Sequence, residues 1–427
     1  MAASYQRRIV DDELDEVGPL LPAIVLEGHK GVGKTATAQR RARTVLALDD
    51  PDERALVQSD PTRLRRAEPP VLVDEWQRHP PVWDAVRRLV DTDGSPGRFL
   101  LTGSASPAPE WPLHSGAGRI VTVRMRPFTI AERSMATPTV ALRDLLSGSR
   151  PDIEGESDVG LPEYVDEILR SGLPEIRDVP GRARRIRLDA YLDRVVTREF
   201  PELGFTVRRP AALRSWLRAY AAATATTASY SAILAAATSS DGNVASAKTN
   251  RSYTETLTQL WLLDPVEAWY PTHNHLRRLA HPSKHHLADP ALAARLLGVD
   301  ADALLGGRDT ATGRALRDGP LVGALFESLV TLSVRVYAQA GEARVSHLRT
   351  KAGEHEVDLI VSREDQRVVA LEVKLSRTVS DHDVRHLLWL RERLGDQLLD
   401  AAVVTTGPYA YRRPDGIAVI PAALLGP

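Results

Sequence analysis

Apolar and polar positions fall into two registers along this chain. Uninterrupted apolar runs at AIVL (23–26), VLV (71–73) and FLL (99–101) are bounded by Gly, Pro or charged residues and predict buried strands; a further strand is expected to start at Arg119. Helical spacing follows the first two runs, in ATAQRRARTVLAL and PPVWDAVRRLVD, so the first third alternates strand and helix as a parallel α/β sheet does.

The pattern then changes. PDIEGESDVG (151–160) is acidic without apolar periodicity and is expected to be a linker, after which EYVDEILRSG and RRIRLDAYLDRVVTREF are compatible with helix. From about Ala211 the order is helix (LRSWLRAYAAAT), helix (SYSAILAAAT), a Ser-Asp-Gly-Asn turn and helix (SAKTNRSYTETLTQLWLL). This fits a helix-turn-helix whose third helix exposes Lys248, Asn250, Arg251 and Thr254, with LLDPVEAWYP as a wing. After the Gly-rich GGRDTATGRALRDGP a third unit is expected: the amphipathic helix LVGALFESLVTLSVRVYA, strands at VSHLRT, from Glu356 and at VVALEVKLS, the helix DHDVRHLLWLRERLG, and a last strand AAVVTT. The predicted domains are 1–150, 151–310 and 315–427.

Composition narrows the classes. At 427 residues, 43% apolar and 26% charged, the chain is globular and long enough for several cores; 55 basic against 56 acidic residues leave no overall field to attract nucleic acid. The absence of cysteine excludes disulfides, thiol catalysis and cysteine-ligated metals. The amino terminus lacks the apolar core of a signal peptide, and the longest uncharged stretch, Ala221 to Ser240, holds eight Ser or Thr residues; a cytoplasmic protein without membrane partners is expected.

The first strand runs into Gly28-His29-Lys30-Gly31-Val32-Gly33-Lys34-Thr35, a strand, glycine-rich loop and helix in the order a phosphate-binding loop requires. Glycines let backbone N–H groups face phosphates, Lys34 meets the outer phosphates, and the Thr35 hydroxyl ligates magnesium. Asp74 and Glu75, at the carboxyl end of the second run, are candidates for the magnesium shell and for the base that orients and deprotonates water; the competing role is to cap the next helix. Thr102 and Ser104, at a third strand end, are candidate γ-phosphate sensors, although Thr-Gly-Ser also makes ordinary turns. Arg119 is a candidate for stabilising phosphate charge in its own subunit or a neighbour's, or else part of a surface ion pair. The basic run GRARRIR (181–187) reads more readily as a solvated helix face than as a phosphate contact, and His273, His275, His281, His285 and His286 lack zinc spacing, which favours structural or surface roles.

These motifs in this order resemble bacterial and archaeal AAA+ ATPases fused to a carboxyl-terminal domain with a restriction-endonuclease-like core. The resemblance rests on Gly28 to Thr35, DEWQR (74–78), LTGSAS (101–106), GAGR (116–119), RPFTIAE (126–132), SGLPE (171–175), YLDRVVTREF (191–200) and the EVDLI and LEVKLS strands. It implies an N-terminal P-loop AAA+ ATPase domain, a middle helical and winged-helix domain and a C-terminal PD-(D/E)xK nuclease-like α/β domain, with ATP and Mg2+ as cofactors and a homo-oligomer among the partners.

In that last domain Asp358 stands on one strand and Glu372-x-Lys374 on the next. Residues two apart share a strand face, so Glu372 and Lys374 project together. The resemblance implies Mg2+ or Mn2+ on Asp358 and Glu372, Glu327 joining from the helix, where an acid among Phe326 and Leu329 needs a partner, and Lys374 holding the nucleophilic water or offsetting phosphate charge. Val357 stands where the family often has proline. The same residues also suit an ion-paired strand surface. Two functions therefore compete: an ATPase coupled to metal-dependent cleavage of DNA or RNA, and an ATPase switch on a non-cleaving DNA- or protein-binding scaffold.

Overall fold

Five short parallel strands, β1 (Ala23–Glu27), β2 (Thr44–Ala47), β3 (Val71–Asp74), β4 (Phe99–Gly103) and β5 (Val121–Arg124), form a sheet in the order β2-β3-β4-β1-β5. They are seen in a computed structural model that describes residues 5–104, 116–203, 209–238, 247–270, 281–306, 309–310, 313–314, 318–350 and 353–427. Val25 and Val73 both pair with Leu101, so the ends of β1, β3 and β4 lie side by side at one edge. That edge is where an open α/β sheet binds ligands.

The helix expected after the phosphate loop is shorter than its pattern suggests. Helix α1 (Lys34–Gln39) stops before Thr44, and TVLA is instead the edge strand β2, paired residue for residue with β3. The β-branched pair Thr44-Val45 suits a strand better than a helix.

Alternate residues of each strand face different layers. Val25, Val73 and Leu101 pack with Trp83 and Val86 of α2 (Pro81–Thr92). On the other face Ile24, Leu26, Leu72 and Leu100 join a continuous core that runs through to Leu325, Phe326 and Leu371 near the end of the chain. The amino-terminal sheet is thus packed directly into the rest of the protein.

The middle segment is helical, with α3 (Gly181–Arg194), α4 (Pro210–Ala222), α5 (Tyr230–Thr238) and α6 (Ala247–Gln259). After α6 the antiparallel bridges Leu263↔Leu287 and Val266↔Lys284 make a narrow ribbon. The predicted Ser-Asp-Gly-Asn turn lies outside the described residues.

The carboxyl-terminal part is built on α7 (Gly319–Ala340), started by Asp318, which accepts from Leu321 N at 3.1 Å. By length and apolar composition α7 is sufficient to span a bilayer, yet here it is a core helix, with 67% of its most apolar 18-residue window buried. Beside it lies a mixed sheet of β6 (Arg344–Arg349), β7 (Glu356–Ser362), β8 (Val368–Lys374), β9 (Leu398–Thr405), β10 (Tyr409–Arg412) and β11 (Ala418–Pro421), ordered β6-β7-β8-β9-β11-β10. Helix α8 (Asp381–Leu394) connects β8 to β9 and covers Val368 and Ala370, while Val369 and Leu371 face the core that includes α7. The segment expected to be a linker is a structural part of this sheet. Gly155–Glu156 pairs with β10 at its edge, and Val140–Ala141 pairs with Leu425–Gly426. Thr139 N and Ser157 N likewise donate to the Leu424 and Pro408 carbonyls, so both ends of this segment are tied to the carboxyl-terminal part.

Candidate functional site

The loop between β1 and α1 follows from local sequence. A Cβ at Gly28 would stand 2.1 Å from the carbonyl oxygen of Met125, and Gly33 has φ +98°, which other residues avoid. Lys34 is buried at the loop's base, its Nζ donating to the carbonyls of Gly28 at 2.8 Å and His29 at 3.0 Å. Burial pushes the Lys34 ammonium down to about 8, against the opposing pull of Glu75, Asp74 and Glu199.

The register of the sheet delivers the acids. Because Val73 pairs with Leu101, Asp74 and Thr102 come next on neighbouring strands, and the Thr102 hydroxyl donates to Asp74 Oδ1. Thr35 Oγ1 donates to the same oxygen at 2.8 Å. Glu75 stands in the left-handed region with φ +51°, its Oε1 accepting from Ser104 Oγ at 3.1 Å and its Oε2 from Gln77 Nε2 at 2.7 Å. Thr102 and Ser104 therefore brace the two acids. The Thr35–Asp74 pair beside a buried lysine and a glycine loop fits Mg2+ with a nucleoside triphosphate.

Arg119 does not join this group. It precedes β5, whose Val121 pairs with Ile24, so it lies at the amino end of the sheet, opposite the loop. There its Nε donates to Asp91 Oδ1 at 2.8 Å in a half-exposed ion pair.

Contacts from distant segments hold the loop. The Tyr191 hydroxyl lies 2.7 Å from His29 Nε2, and burial followed by the nearby Lys34 charge pushes that imidazole down to about 3, keeping it neutral. Lys30 Nζ pairs with Glu199 Oε1 at 3.0 Å. Glu199 ends a π-helical turn, Val195–Glu199, that continues α3; such bulges recur at functional positions. Arg8, buried, donates to the Val32 carbonyl at 2.9 Å and to Glu132 Oε1 at 2.9 Å. Sequence reasoning missed Arg8, Tyr191 and Glu199, although the last two stand in the YLDRVVTREF segment.

A second buried centre joins the three parts of the chain. The Asp264 carboxylate accepts from Arg126 Nε at 2.9 Å and is ion-paired with Arg124 Nη2 at 3.0 Å and Arg335 Nη1 at 2.9 Å. Burial by itself would raise the Asp264 carboxyl, but the three guanidiniums outweigh it and hold the group well below the usual carboxylate range. Arg124 and Arg126 flank Met125, the residue against Gly28, so this centre sits directly behind the phosphate loop.

In the carboxyl-terminal part Glu327, Asp358, Glu372 and Lys374 come together as expected, but with an additional member. Lys284 Nζ lies 2.9 Å from Glu327 Oε1, 2.9 Å from Asp358 Oδ1 and 3.2 Å from Glu356 Oε1, with its side chain 1% exposed. Asp358 Oδ2 accepts from Val373 N at 2.9 Å, and Lys374 Nζ donates to Glu372 Oε1 at 2.7 Å. Burial and the neighbouring Asp358 push both Glu327 and Glu372 up to about 8. Asp358 goes the other way: burial would raise it, but Lys284 and Lys374 hold it down. A cleft of about 300 Å³ opens beside the cluster, lined by Glu356, Asp358, Glu372, Lys374 and His386 among others.

Both members of the expected metal pair are ion-paired to lysines in this structure. Asp358 is engaged by Lys284 and Glu372 by Lys374, and among the described residues no group of three or more His, Asp or Glu side chains is disposed to hold a metal ion. The residues present do not fit Mg2+ or Mn2+ in this arrangement. No sequence signal isolates Lys284, which lies in a histidine-rich stretch far from its acids.

One further expectation changes, and one is met by two of its residues. Asn250 is buried, not exposed: it accepts from Trp216 Nε1 at 2.7 Å and donates to Tyr230 O at 3.0 Å, while Arg251 is paired with Glu255 at 2.7 Å. His285 and His286 are core residues, and His285 Nε2 lies 2.7 Å from the Ala228 carbonyl oxygen. His273 and His275 lie outside the described residues.

Comparison with known proteins agrees with the amino-terminal geometry. Residues 21–134 match the family described as AAA domain. Residues 161–303 match one domain of unknown function (DUF8612) and residues 322–425 another (DUF4143). The chain is 25% identical over 415 residues to the uncharacterized proteins Rv2008c of Mycobacterium tuberculosis and Mb2031c of Mycobacterium bovis, covering 94% of this chain and 80% of each relative. Similar solved structures are the Walker-type ATPase PABY2304 of Pyrococcus abyssi, at 16% identity over 69% of this chain and 97% of that one with TM-score 0.39, and Drosophila ORC bound to DNA, at 16% identity, 67% and 94% coverage and TM-score 0.23. The chain is an α/β protein with an amino-terminal parallel P-loop sheet in the region that matches the AAA domain, a helical middle and a carboxyl-terminal mixed sheet in the region that matches a domain of unknown function.

Proposed function

We propose that the protein binds and hydrolyses ATP with Mg2+ at the loop between β1 and α1, and that the carboxyl-terminal domain responds to this cycle without cleaving nucleic acid in the arrangement described. The observation that carries the first part is the convergence of Lys34, Thr35, Asp74 and Thr102 at one sheet edge, with Glu75 braced beside them.

Lys34 meets the outer phosphates and regains there the charge stabilisation that burial denies it. Thr35 and Asp74, already in contact, would hold the magnesium, which when bound neutralises charge on the phosphate oxygens. Glu75, fixed at both carboxylate oxygens by Ser104 and Gln77, orients the attacking water and takes its proton. Arg119 stands at the opposite end of its own sheet; a triphosphate within its reach belongs to a neighbouring subunit in an oligomer. Changes in the loop pass to the remainder of the chain through Met125 and the arginines on Asp264.

The carboxyl-terminal cleft, with Lys374, His382, Arg385 and His386 beside its acids, suits a nucleic-acid partner; the lysine-filled acid cluster supports contact in place of cleavage. Glu75→Gln tests the catalytic assignment. ATP binding is expected to persist while turnover falls by roughly 100-fold or more. Turnover equal to wild type would remove Glu75 from the mechanism, and Mn2+-dependent cleavage of DNA or RNA by wild type would overturn the non-cleaving reading.

A further inference from the structure

We propose that the Lys284 ammonium is the resident cation of the carboxyl-terminal acid cluster and that the cluster takes no divalent ion while Lys284 is seated. The inference rests on reading that cleft as non-cleaving.

An ammonium has three N–H donors. Lys284 donates to Glu327 and Asp358 at 2.9 Å each and stands in an ion pair with Glu356 at 3.2 Å, so acids surround its ammonium on three sides. These are hydrogen-bond separations; oxygens around Mg2+ or Ca2+ stand closer, at about 2.0 to 2.6 Å. A divalent ion in the same place would have to expel Nζ and draw the acids inward, and an ion beside a retained ammonium would meet like charge at contact distance.

The ammonium is delivered by rigid backbone. Lys284 N donates to Val266 O at 2.8 Å, and Val266 N donates to Lys284 O at 2.9 Å, two residues from the arginine-bound Asp264. On the far side His347 Nε2 lies 3.1 Å from the Pro282 carbonyl, fixing the same segment against β6. The side chain itself is 1% exposed, so it cannot swing into solvent without movement of this ribbon. Lys374 does not substitute for it, being bonded to Glu372 at 2.7 Å. The adjoining cleft gives solvent ions access to the acids, so what excludes an ion is the occupied cation position and not a closed entrance.

The test is calorimetric titration of Mn2+ into the full-length, nucleotide-free chain. Wild type and Asp358→Asn are expected to give superimposable isotherms, because Asp358 is not available to an ion; Glu356→Gln, at the half-exposed rim, serves the same comparison if Asp358→Asn does not fold. Lys284→Met is expected to gain one Mn2+ site at least tenfold tighter than any in wild type, and Lys284→Met with Asp358→Asn to lose it. A Mn2+ site in wild type that vanishes in Asp358→Asn or Glu356→Gln overturns the proposal, as does a folded Lys284→Met that gains none. Because ion binding is the readout, this failure is distinct from the discovery of nuclease activity.

Discussion

Replacing Asp264 with asparagine removes one charge and almost no volume, and so isolates the electrostatics of the centre behind the phosphate loop. Its carboxylate stands 2.9 to 3.0 Å from Arg124, Arg126 and Arg335. At that separation, with an effective dielectric constant near 20, each attraction is roughly 5.5 kcal/mol before desolvation and the mutual repulsion of the arginines are set against it. Removing one partner of a buried ion pair costs about 3 to 5 kcal/mol net, and Asp264→Asn should lie at the upper end because three guanidiniums lose their counter-ion together. That is a large part of a typical domain stability of about 5 to 15 kcal/mol. Urea unfolding followed by tryptophan fluorescence measures it, with Arg119→Ala as control: the Arg119–Asp91 pair is 41% and 37% exposed and should contribute about 0 to 1 kcal/mol. If Asp264→Asn shifts stability by less than about 1 kcal/mol, no more than the surface pair, the centre is not what joins the ATPase sheet to the rest of the chain.

Two further outcomes follow from the ionisation of buried groups. Lys34, held down to about 8 by burial, should be driven back to its charged form by the phosphates, so ATP binding at pH 8 takes up about half a proton; calorimetry in buffers of different ionisation enthalpy measures this, and zero uptake at pH 8 contradicts it. Glu372 is raised from 4.5 to about 8, so the folded state holds a proton that the unfolded chain releases, and this contribution to stability is present at low pH and lost as pH rises across that window. Glu372→Gln should therefore flatten the decline in melting temperature between pH 5 and 8, whereas a parallel decline in wild type and variant would contradict the assignment.

What was legible in the sequence was local. The phosphate loop, Asp74 with Glu75, and the β7–β8 pair carrying Asp358, Glu372 and Lys374 each depend on residues close together in the chain, where spacing determines direction. The misreadings arose where partners are distant. TVLA (44–47) looked helical because β3, which makes it a strand, lies 27 residues further on, from Thr44 to Val71. Residues 151–160 looked like a linker because the strand that pairs with Gly155–Glu156 begins at Tyr409. Asn250 looked exposed by polarity, yet Trp216 Nε1 and the Tyr230 carbonyl give its amide buried partners. Lys284 is the sharpest case: three acids from α7 and β7 converge on it, and nothing within its own stretch distinguishes it from a surface lysine.

The most direct measurement is magnesium-dependent release of phosphate from ATP by the intact chain, wild type against Lys34→Ala. The geometry at the carboxyl edge of the first sheet predicts steady turnover by wild type and its loss, together with weaker nucleotide binding, in Lys34→Ala. Equal rates in the two proteins would show that this loop is not where ATP is hydrolysed.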